Sequence, residues 1–222
     1  MLDPSNELKT DAVAGEELPR FWERRTNIAA AVLLGFAAVA TSWATYQATR
    51  WSGVQAAKYT EAGAMRVEAI RASTRGGQLS MVDVGTFFQW INAHMDTNEH
   101  RERFYRKHFR SEFIPAFEAW AADLQTNLES PRSPFQLPEY KVSLIEESER
   151  LEESARETFK QGEDANETGD HYVLYAVILA SAMFFAGLAP QFPRLGLRLT
   201  FLIMAAVMCL FGVYRIALSP VT

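Results

Sequence analysis

The chain has 222 residues, of which 48% are hydrophobic, and a formal net charge of −5 at pH 7. This length allows one domain or two small ones, and the negative charge excludes the broadly basic character that marks nucleic-acid binding. The single cysteine, Cys209, excludes an intrachain disulfide.

Three apolar segments predict membrane-spanning helices. Residues 26–49 and 171–193 contain no Asp, Glu, Lys or Arg, and each is close to the roughly 20 residues that a helix needs to cross the hydrocarbon core. The third apolar segment, residues 199–214, is shorter, but Arg198 and Arg215 at its ends can reach toward the headgroups and extend the span to 195–218. The predicted order is a flexible cytoplasmic N-terminal segment (1–25), transmembrane helix 1 (26–49), an extramembrane helical bundle (50–170), transmembrane helix 2 (171–190), a short cytoplasmic loop (191–197) and transmembrane helix 3 (198–218).

The first apolar segment has a second interpretation, a cleaved signal peptide, because Ala38-Val39-Ala40 supplies small residues of the kind found at cleavage sites. A signal peptide begins with a short basic region. Residues 1–25 are longer than that and carry six acidic residues against four basic ones. A membrane span is therefore favoured over a cleaved leader.

Basic residues near the membrane ends predict the orientation, because they are retained on the cytoplasmic side. Five arginines flank one side of the three spans, against three basic residues on the other; the five are Arg20, Arg24, Arg25, Arg194 and Arg198. We therefore expect a cytoplasmic N-terminus and an extracytoplasmic segment 50–170.

Helical spacing of apolar residues predicts four helices in segment 50–170. The first continues from span one to about Arg75, where Gly76-Gly77 ends it. The second covers about 79–94, and the third covers about 99–127 with Pro115 predicting a kink or a restart near 112–114. The aromatic and aliphatic stripes of these two helices are Val84, Phe87, Phe88, Ile91 and Met95, and Phe109, Phe113, Phe117, Trp120 and Leu124.

The last part of this segment combines a proline-rich connection with an acidic helix. Residues 129–140 contain three prolines, which predicts an extended, stiff connection. The fourth helix, about 141–166, has an acidic outer side and leads into span two. Because alternating β-branched runs are missing, we predict an all-α integral membrane protein with three transmembrane helices and a four-helix-bundle-like extramembrane domain with an aromatic core.

The sequence offers no arrangement typical of an active site. Ser, Cys and His show no nucleophile pattern, and no glycine-rich loop predicts a phosphate site. His94, Asp96, Glu99 and His100 cluster near one turn, but their spacing matches no familiar zinc pattern, and solvated turn residues are the favoured interpretation. We expect no enzyme, no catalytic residue, no cofactor and no metal.

The stretch His100–Arg110, HRERFYRKHFR, interleaves aromatic and basic residues. Its five basic residues are Arg101, Arg103, Arg106, Lys107 and Arg110. Pairing with the glutamates of the fourth helix, or simple solvation, is the favoured interpretation. Contact with anionic lipid or an acidic partner is the alternative.

The end of span one, TSWATYQATRW, predicts a membrane interface. Trp43, Tyr46, Arg50 and Trp51 are residue types that anchor at the level of the headgroups. Gln47 shares a helix face with Trp43 and Trp51 and is predicted to dock that face against the third span or the acidic helix through a hydrogen bond.

The order of several elements resembles a family of uncharacterised bacterial three-span inner-membrane proteins. The residues that carry the resemblance are Trp43-x2-Tyr46-Gln47-Ala48, the FIPAFEAW helix, the SPFQLPEY linker, the acidic helix entering span two and the Arg-bearing turn before span three. The resemblance covers the chain from about Arg20 onward. It implies a bacterial inner-membrane location. The family has no established activity, cofactor or catalytic residues, so nothing functional carries over from the resemblance.

These features favour a non-enzymatic membrane protein that acts through protein or lipid contacts of its extramembrane domain, as an adaptor, scaffold or sensor-like component. Its expected partners are membrane lipids and a second copy or another membrane protein, with no nucleic acid. The spans lack acidic or basic residues near their centres, which disfavours a pump. A small homo-oligomeric channel lined by residues such as Thr41, Ser42 and Thr45 is the alternative.

Overall fold

In the computed structural model, residues 20–126 and 133–222 are described, and all regular structure among them is helical. The α-helices are α1 (Arg20–Met95), α2 (Glu99–Lys107), α3 (Ile114–Thr126), α4 (Ser143–Leu188) and α5 (Leu195–Leu218). Short 3-10 helices lie at Pro134–Gln136 and Ala189–Gln191. The all-α prediction is therefore confirmed, and three helical segments, Arg20–Met95, Ser143–Gln191 and Leu195–Leu218, are long and apolar enough to cross a membrane.

The helix bounds confirm some sequence predictions and correct others. The restart expected near Pro115 is confirmed, because α2 ends at Lys107 and α3 begins at Ile114. The helix expected to end at Gly76-Gly77 instead continues to Met95. The connection predicted at 191–197 is also shorter, because α4 and its following 3-10 turn reach Gln191 and α5 already begins at Leu195.

The chain divides into two compact units, which are described separately. Unit 1 comprises residues up to Ala57 and from Gln161 to Thr222, and unit 2 comprises Lys58–Lys160.

Unit 1 buries small residues at heptad-like spacing. Ala30, Ala37 and Ala44 lie seven residues apart on α1 and are buried. Spacings near 3.5 residues keep one stripe facing neighbouring helices, and small side chains allow those helices to approach closely. Gly212 of α5 illustrates this, because a Cβ atom there would lie 3.0 Å from side-chain atoms of Leu179.

Among the described residues, unit 1 has three buried clusters, and each combines residues of α1, of α4 or the 3-10 turn after it, and of α5. One contains Ala37, Leu179, Ala182 and Cys209, and a second contains Ala30, Ala189 and Leu202. The third contains Ala44, Tyr172 and Tyr175 with Ile216 packed against it. Many of the large apolar side chains lie on the outside; they include Ile28, Val32, Phe36, Val177, Phe184, Ile203, Val207 and Phe211.

Unit 2 has an aromatic core. Phe87 and Trp90 of α1 pack with Phe113, Phe117 and Trp120, and many of the ring pairs meet edge to face. The stripe predicted for the third helix contributes to this core, although Phe109 and Phe113 precede α3 and Leu124 is only partly buried. The stripe predicted for 79–94 is partly wrong, because Phe88 and Met95 are exposed while Trp90 takes a core position.

The proline-rich connection also contributes to this core. Residues 127–132 lie outside the described residues. They include 129–132, the first four residues of the predicted extended connection. From Ser133 onward the chain is not simply extended, because Pro134–Gln136 form a 3-10 turn. Phe135 stacks on Phe113 at 5.3 Å between ring centroids, and Tyr140 meets Phe113 edge to face.

Gly76 has a packing role instead of the predicted helix-ending role. A Cβ atom at Gly76 would lie 2.7 Å from Cγ1 of Ile145 and 3.3 Å from its backbone nitrogen. Glycine disfavours a helix interior by about 1 kcal/mol. The close contact with the first turn of α4 outweighs this preference, so α1 continues through the glycine pair.

Candidate functional site

Asp83 on α1 of unit 2 is a fully buried carboxylate that accepts several hydrogen bonds. Nη2 of Arg110 donates to Oδ2 of Asp83 at 2.7 Å, and Nε of Arg110 lies 3.3 Å from both carboxylate oxygens. The hydroxyl of Tyr140 donates to the same Oδ2 at 3.2 Å. One buried charge therefore joins α1, the α2–α3 connection and the proline-rich connection.

Glu112 extends this cluster toward α4. It pairs with the other side of the Arg110 guanidinium, and its Oε1 accepts a hydrogen bond from Oγ of Ser143 at 2.7 Å. The backbone N–H of Ser143 donates to Oε2. These bonds, first that from the Ser143 hydroxyl, lower the pKa of Glu112 below its usual range.

Burial has the main effect on Tyr140. It raises the pKa of the Tyr140 hydroxyl because the phenolate would lose solvation, and the neighbouring Asp83 carboxylate adds to the increase. A neutral phenol is the form that donates to Asp83. The arrangement fixes segments of unit 2 by charge-assisted hydrogen bonds, and every named oxygen is already used by a protein partner.

Sequence reasoning missed this cluster, although one signal was present. Asp83 interrupts an apolar series and lies four residues before Phe87 and seven before Trp90, on the buried face of the same helix. A lone carboxylate on such a face requires a buried partner. Arg110 was selected from the sequence only as a member of the basic stretch.

Helix α2 carries most of the predicted basic stretch and buries no residue. Arg101, Arg103, Arg106 and Lys107 are exposed. The three arginines pair with acidic residues outside α4: Arg101 with Asp96, Arg103 with Glu99 and Arg106 with Glu118, at N···O distances of 3.8 to 3.9 Å. Of the two expected settings, pairing with the glutamates of α4 and solvation, their exposed positions fit solvation. Such exposed pairs contribute little to stability.

Unit 2 also presents an apolar stripe on the outside of α1. We define it by Met81, Phe88 and Met95, which are spaced by seven residues and therefore share one helix face. Their side chains are 76%, 58% and 77% exposed. The apolar spacing in the sequence, by contrast, predicts Phe88 and Met95 in the core.

The histidine-containing turn does not assemble a metal-ligand set among the described residues. His94 Nδ1 lies 3.4 Å from Oε2 of Glu102, and Asp96 pairs with Arg101. The His94 ring stacks on Trp90.

In unit 1 the structure places the predicted interface residues of α1 in two different settings. Trp43, Tyr46 and Arg50 are exposed. Gln47 is fully buried, and its Oε1 accepts hydrogen bonds from the backbone N–H and hydroxyl of Thr222, at 3.3 and 3.0 Å. Trp51 Nε1 donates to the carbonyl of Pro220 at 3.1 Å.

Comparisons with protein-family models, curated proteins and solved structures found no match.

Proposed function

We propose that this chain is a non-enzymatic integral membrane protein of the bacterial inner membrane that binds a partner protein through unit 2, as an adaptor, scaffold or sensor-like component. Unit 2 is proposed as a four-helix-bundle-like domain outside the cytoplasm, and the N-terminus as cytoplasmic. The observation that carries the contact function is the exposed apolar stripe Met81, Phe88 and Met95.

Two properties of the stripe support a protein contact. Large apolar side chains aligned on one face and exposed to this degree are typical of interaction surfaces, and methionine adapts to irregular partner surfaces. Helix α2 follows directly after the stripe in sequence and offers four exposed basic side chains. An apolar contact flanked by acidic residues on the partner fits this combination.

The inverted side-chain pattern of unit 1 supports the membrane part of the proposal. Alanines occupy much of its interior, and many Val, Ile and Phe side chains lie outside. In water such a surface would be costly, whereas in a bilayer it faces hydrocarbon. In the apolar stretch of each candidate span, only 17% to 33% of the residues are buried inside the chain.

Affinity isolation of the full chain from gently solubilised membranes tests the partner. We expect a defined partner to be retained by the unmodified chain and by Val82→Lys, an exposed apolar control on another face of α1, and lost with Phe88→Lys. The double variant Arg103→Glu/Lys107→Glu should weaken retention more than Arg71→Glu, which changes an exposed arginine of α1. Recovery of the chain alone, or equal retention by all variants, would contradict the proposal.

Cysteine labelling in intact cells tests the orientation. Cysteines introduced at Gln78 and Asp123 should react with a membrane-impermeant thiol reagent, whereas one at the exposed Gln191 should react only after lysis. The native Cys209 is buried and gives a low background. Labelling at Gln191 but not at Gln78 in intact cells would reverse the topology.

A small homo-oligomeric channel is the second candidate function. The observation that favours it is a row of exposed hydroxyls on α1, Ser42, Thr45 and Thr49, while Thr41 is half-buried. Each of the three hydroxyls donates to a carbonyl of its own helix. Ion flux into liposomes containing the purified chain, and its reduction by Thr45→Leu, would favour the channel over the partner-binding function.

A further inference from the structure

Arg198 of α5 is a buried cation surrounded by neutral acceptors. Only 3% of the residue is exposed. Its Nε donates to the carbonyl of Ala189 at 3.3 Å, Nη1 to Oγ1 of Thr26 at 3.0 Å, and Nη2 to Oδ1 of Asn27 and the carbonyl of Pro190 at 3.0 and 2.9 Å. Four of its five N–H groups are thus used, and no carboxylate among the described residues pairs with it.

This arrangement satisfies most of the hydrogen bonds of the guanidinium but gives its charge no countercharge among the described residues. The carbonyls of Ala189 and Pro190 lie in the 3-10 turn that follows α4, where a cation is favourable because it interacts well with the negative end of the helix dipole. Burying a guanidinium without a countercharge remains costly. An anion from outside the chain would offset that cost.

Arg198 lines a cavity that can receive such an anion. The cavity has a volume of about 420 Å³ and is also lined by Arg20, Glu23 and residues 190–193. Two arginines and one glutamate leave its lining with a net positive charge. Arg24 and Arg25 lie in the same first turns of α1 and increase the positive potential at this end of unit 1.

An apolar groove of about 340 Å³ lies between α1 and α5 near the same helix ends. Trp22, Ala29, Leu33, Leu202 and Ile203 are among its lining residues. Thr26 connects the two features, because it lines the groove and its hydroxyl accepts a hydrogen bond from Arg198.

We infer that this end of unit 1 binds one anionic phospholipid, with the phosphate of its headgroup in the Arg20–Arg198 cavity and an acyl chain in the α1–α5 groove. A free anion would account for the cavity alone, and an uncharged lipid for the groove alone. An anionic amphiphile accounts for both. The site lies in unit 1 and is independent of the partner surface proposed for unit 2.

Native mass spectrometry of the full chain in detergent tests this lipid site directly. Phosphatidylglycerol and phosphatidylcholine are added separately at equal concentrations, and bound lipid per chain is measured. We expect preferential retention of phosphatidylglycerol and roughly fivefold weaker binding for Arg20→Gln, since one basic residue near a lipid surface contributes about that factor. Arg71→Gln, which removes an exposed arginine of α1 in unit 2, should bind like the unmodified chain.

A second pair of variants tests the groove without altering any charge. Ala29→Trp fills the groove and should reduce lipid retention severalfold, whereas Ala31→Trp places the same side chain at an exposed position that does not line it. Addition of inorganic phosphate at the lipid concentration should not displace bound phosphatidylglycerol. Equal retention of the two lipids, equal binding by Ala29→Trp and Ala31→Trp, or displacement by inorganic phosphate would overturn the inference.

Discussion

Arg110 and Asp83, which are 27 residues apart in the chain, form a buried ion pair with Nη2 and Oδ2 at 2.7 Å. The aspartate is fully buried and the arginine side chain is 17% exposed. Both hydrogen-bonding edges of the guanidinium are used, because its other side meets Glu112. The pair joins the α2–α3 connection to α1 beside the aromatic core of unit 2.

Replacing Asp83 by Asn should lower the free energy of unfolding of unit 2 by about 3 kcal/mol, because the mostly buried guanidinium of Arg110 then keeps only the partly exposed Glu112 as a countercharge among the described residues. Urea unfolding in mild detergent, followed by the fluorescence of Trp90 and Trp120, measures the change. Glu99→Gln removes an exposed pair with Arg103 and should cost less than about 1 kcal/mol. Similar losses in the two variants would contradict a special role for the buried pair.

Tyr140→Phe tests the hydroxyl that donates to Asp83 while retaining the aromatic ring. The variant should lose about 1.5 to 3 kcal/mol at neutral pH, the range for a hydrogen bond to a charged group. Burial raises the pKa of Tyr140, so its contribution is fully present below the pKa of the unfolded chain and is lost as the pH rises through the folded pKa. Unfolding measured from pH 7 to 11 should therefore show a shallower alkaline decline in Tyr140→Phe than in the unmodified chain. If Tyr140→Phe lost as much stability between pH 7 and 11 as the unmodified chain, Tyr140 would not be the group responsible for the loss.

Ser143→Ala should raise the pKa of Glu112 toward its usual value, because the hydroxyl bond is the main cause of the lowered pKa. With a lowered folded pKa, the Glu112 contribution is present above the unfolded pKa and is lost as the pH falls through the folded pKa. The unmodified chain should thus lose more stability than Ser143→Ala on acidification from pH 5 to pH 3. Titration of the Glu112 carboxyl carbon by NMR reports the shift, and an unshifted pKa in Ser143→Ala would contradict the assigned cause.

Gly76→Ala and its neighbour Gly77→Ala form a matched pair. A Cβ atom at Gly76 meets Ile145, and the expected cost of overpacking is about 1 to 3 kcal/mol. A Cβ atom at Gly77 meets nothing within 4 Å, so alanine there should stabilise α1 by up to about 1 kcal/mol. The two substitutions should change the free energy of unfolding, measured in urea, in opposite directions. If both substitutions were stabilising, α1 and α4 would not approach each other closely at Gly76.

Gln47→Leu should leave membrane insertion intact. The substitution removes the acceptor for Thr222 but also removes Nε2, which has no hydrogen-bond partner among the described residues. The two effects oppose each other, and the net change in stability should stay within about 1 kcal/mol. Insertion is measured by the cysteine-labelling pattern, and a lost pattern would mean that Gln47 contributes to insertion itself.

The sequence predicted the features that depend on local spacing. Charge-free segments identified the three candidate spans. The helical spacing of the aromatic residues between 109 and 120 predicted that they share one side, and in the structure they share a core. Pro115 marked the restart before α3 because proline lacks a backbone donor. These signals lie within a few turns of one helix, so no knowledge of distant contacts is needed to interpret them.

The tertiary structure decided everything that joins distant positions. Asp83 is 27 residues from Arg110 and 57 from Tyr140, and Arg198 is 172 residues from Thr26. Gly76 favoured a helix end by its intrinsic preference, whereas contact with Ile145 decided that the helix continues. The orientation of Phe87 inward and Phe88 outward was settled in the same way. Periodicity specifies which residues share a helix face, but only packing against another part of the chain decides which face is buried and which charges meet.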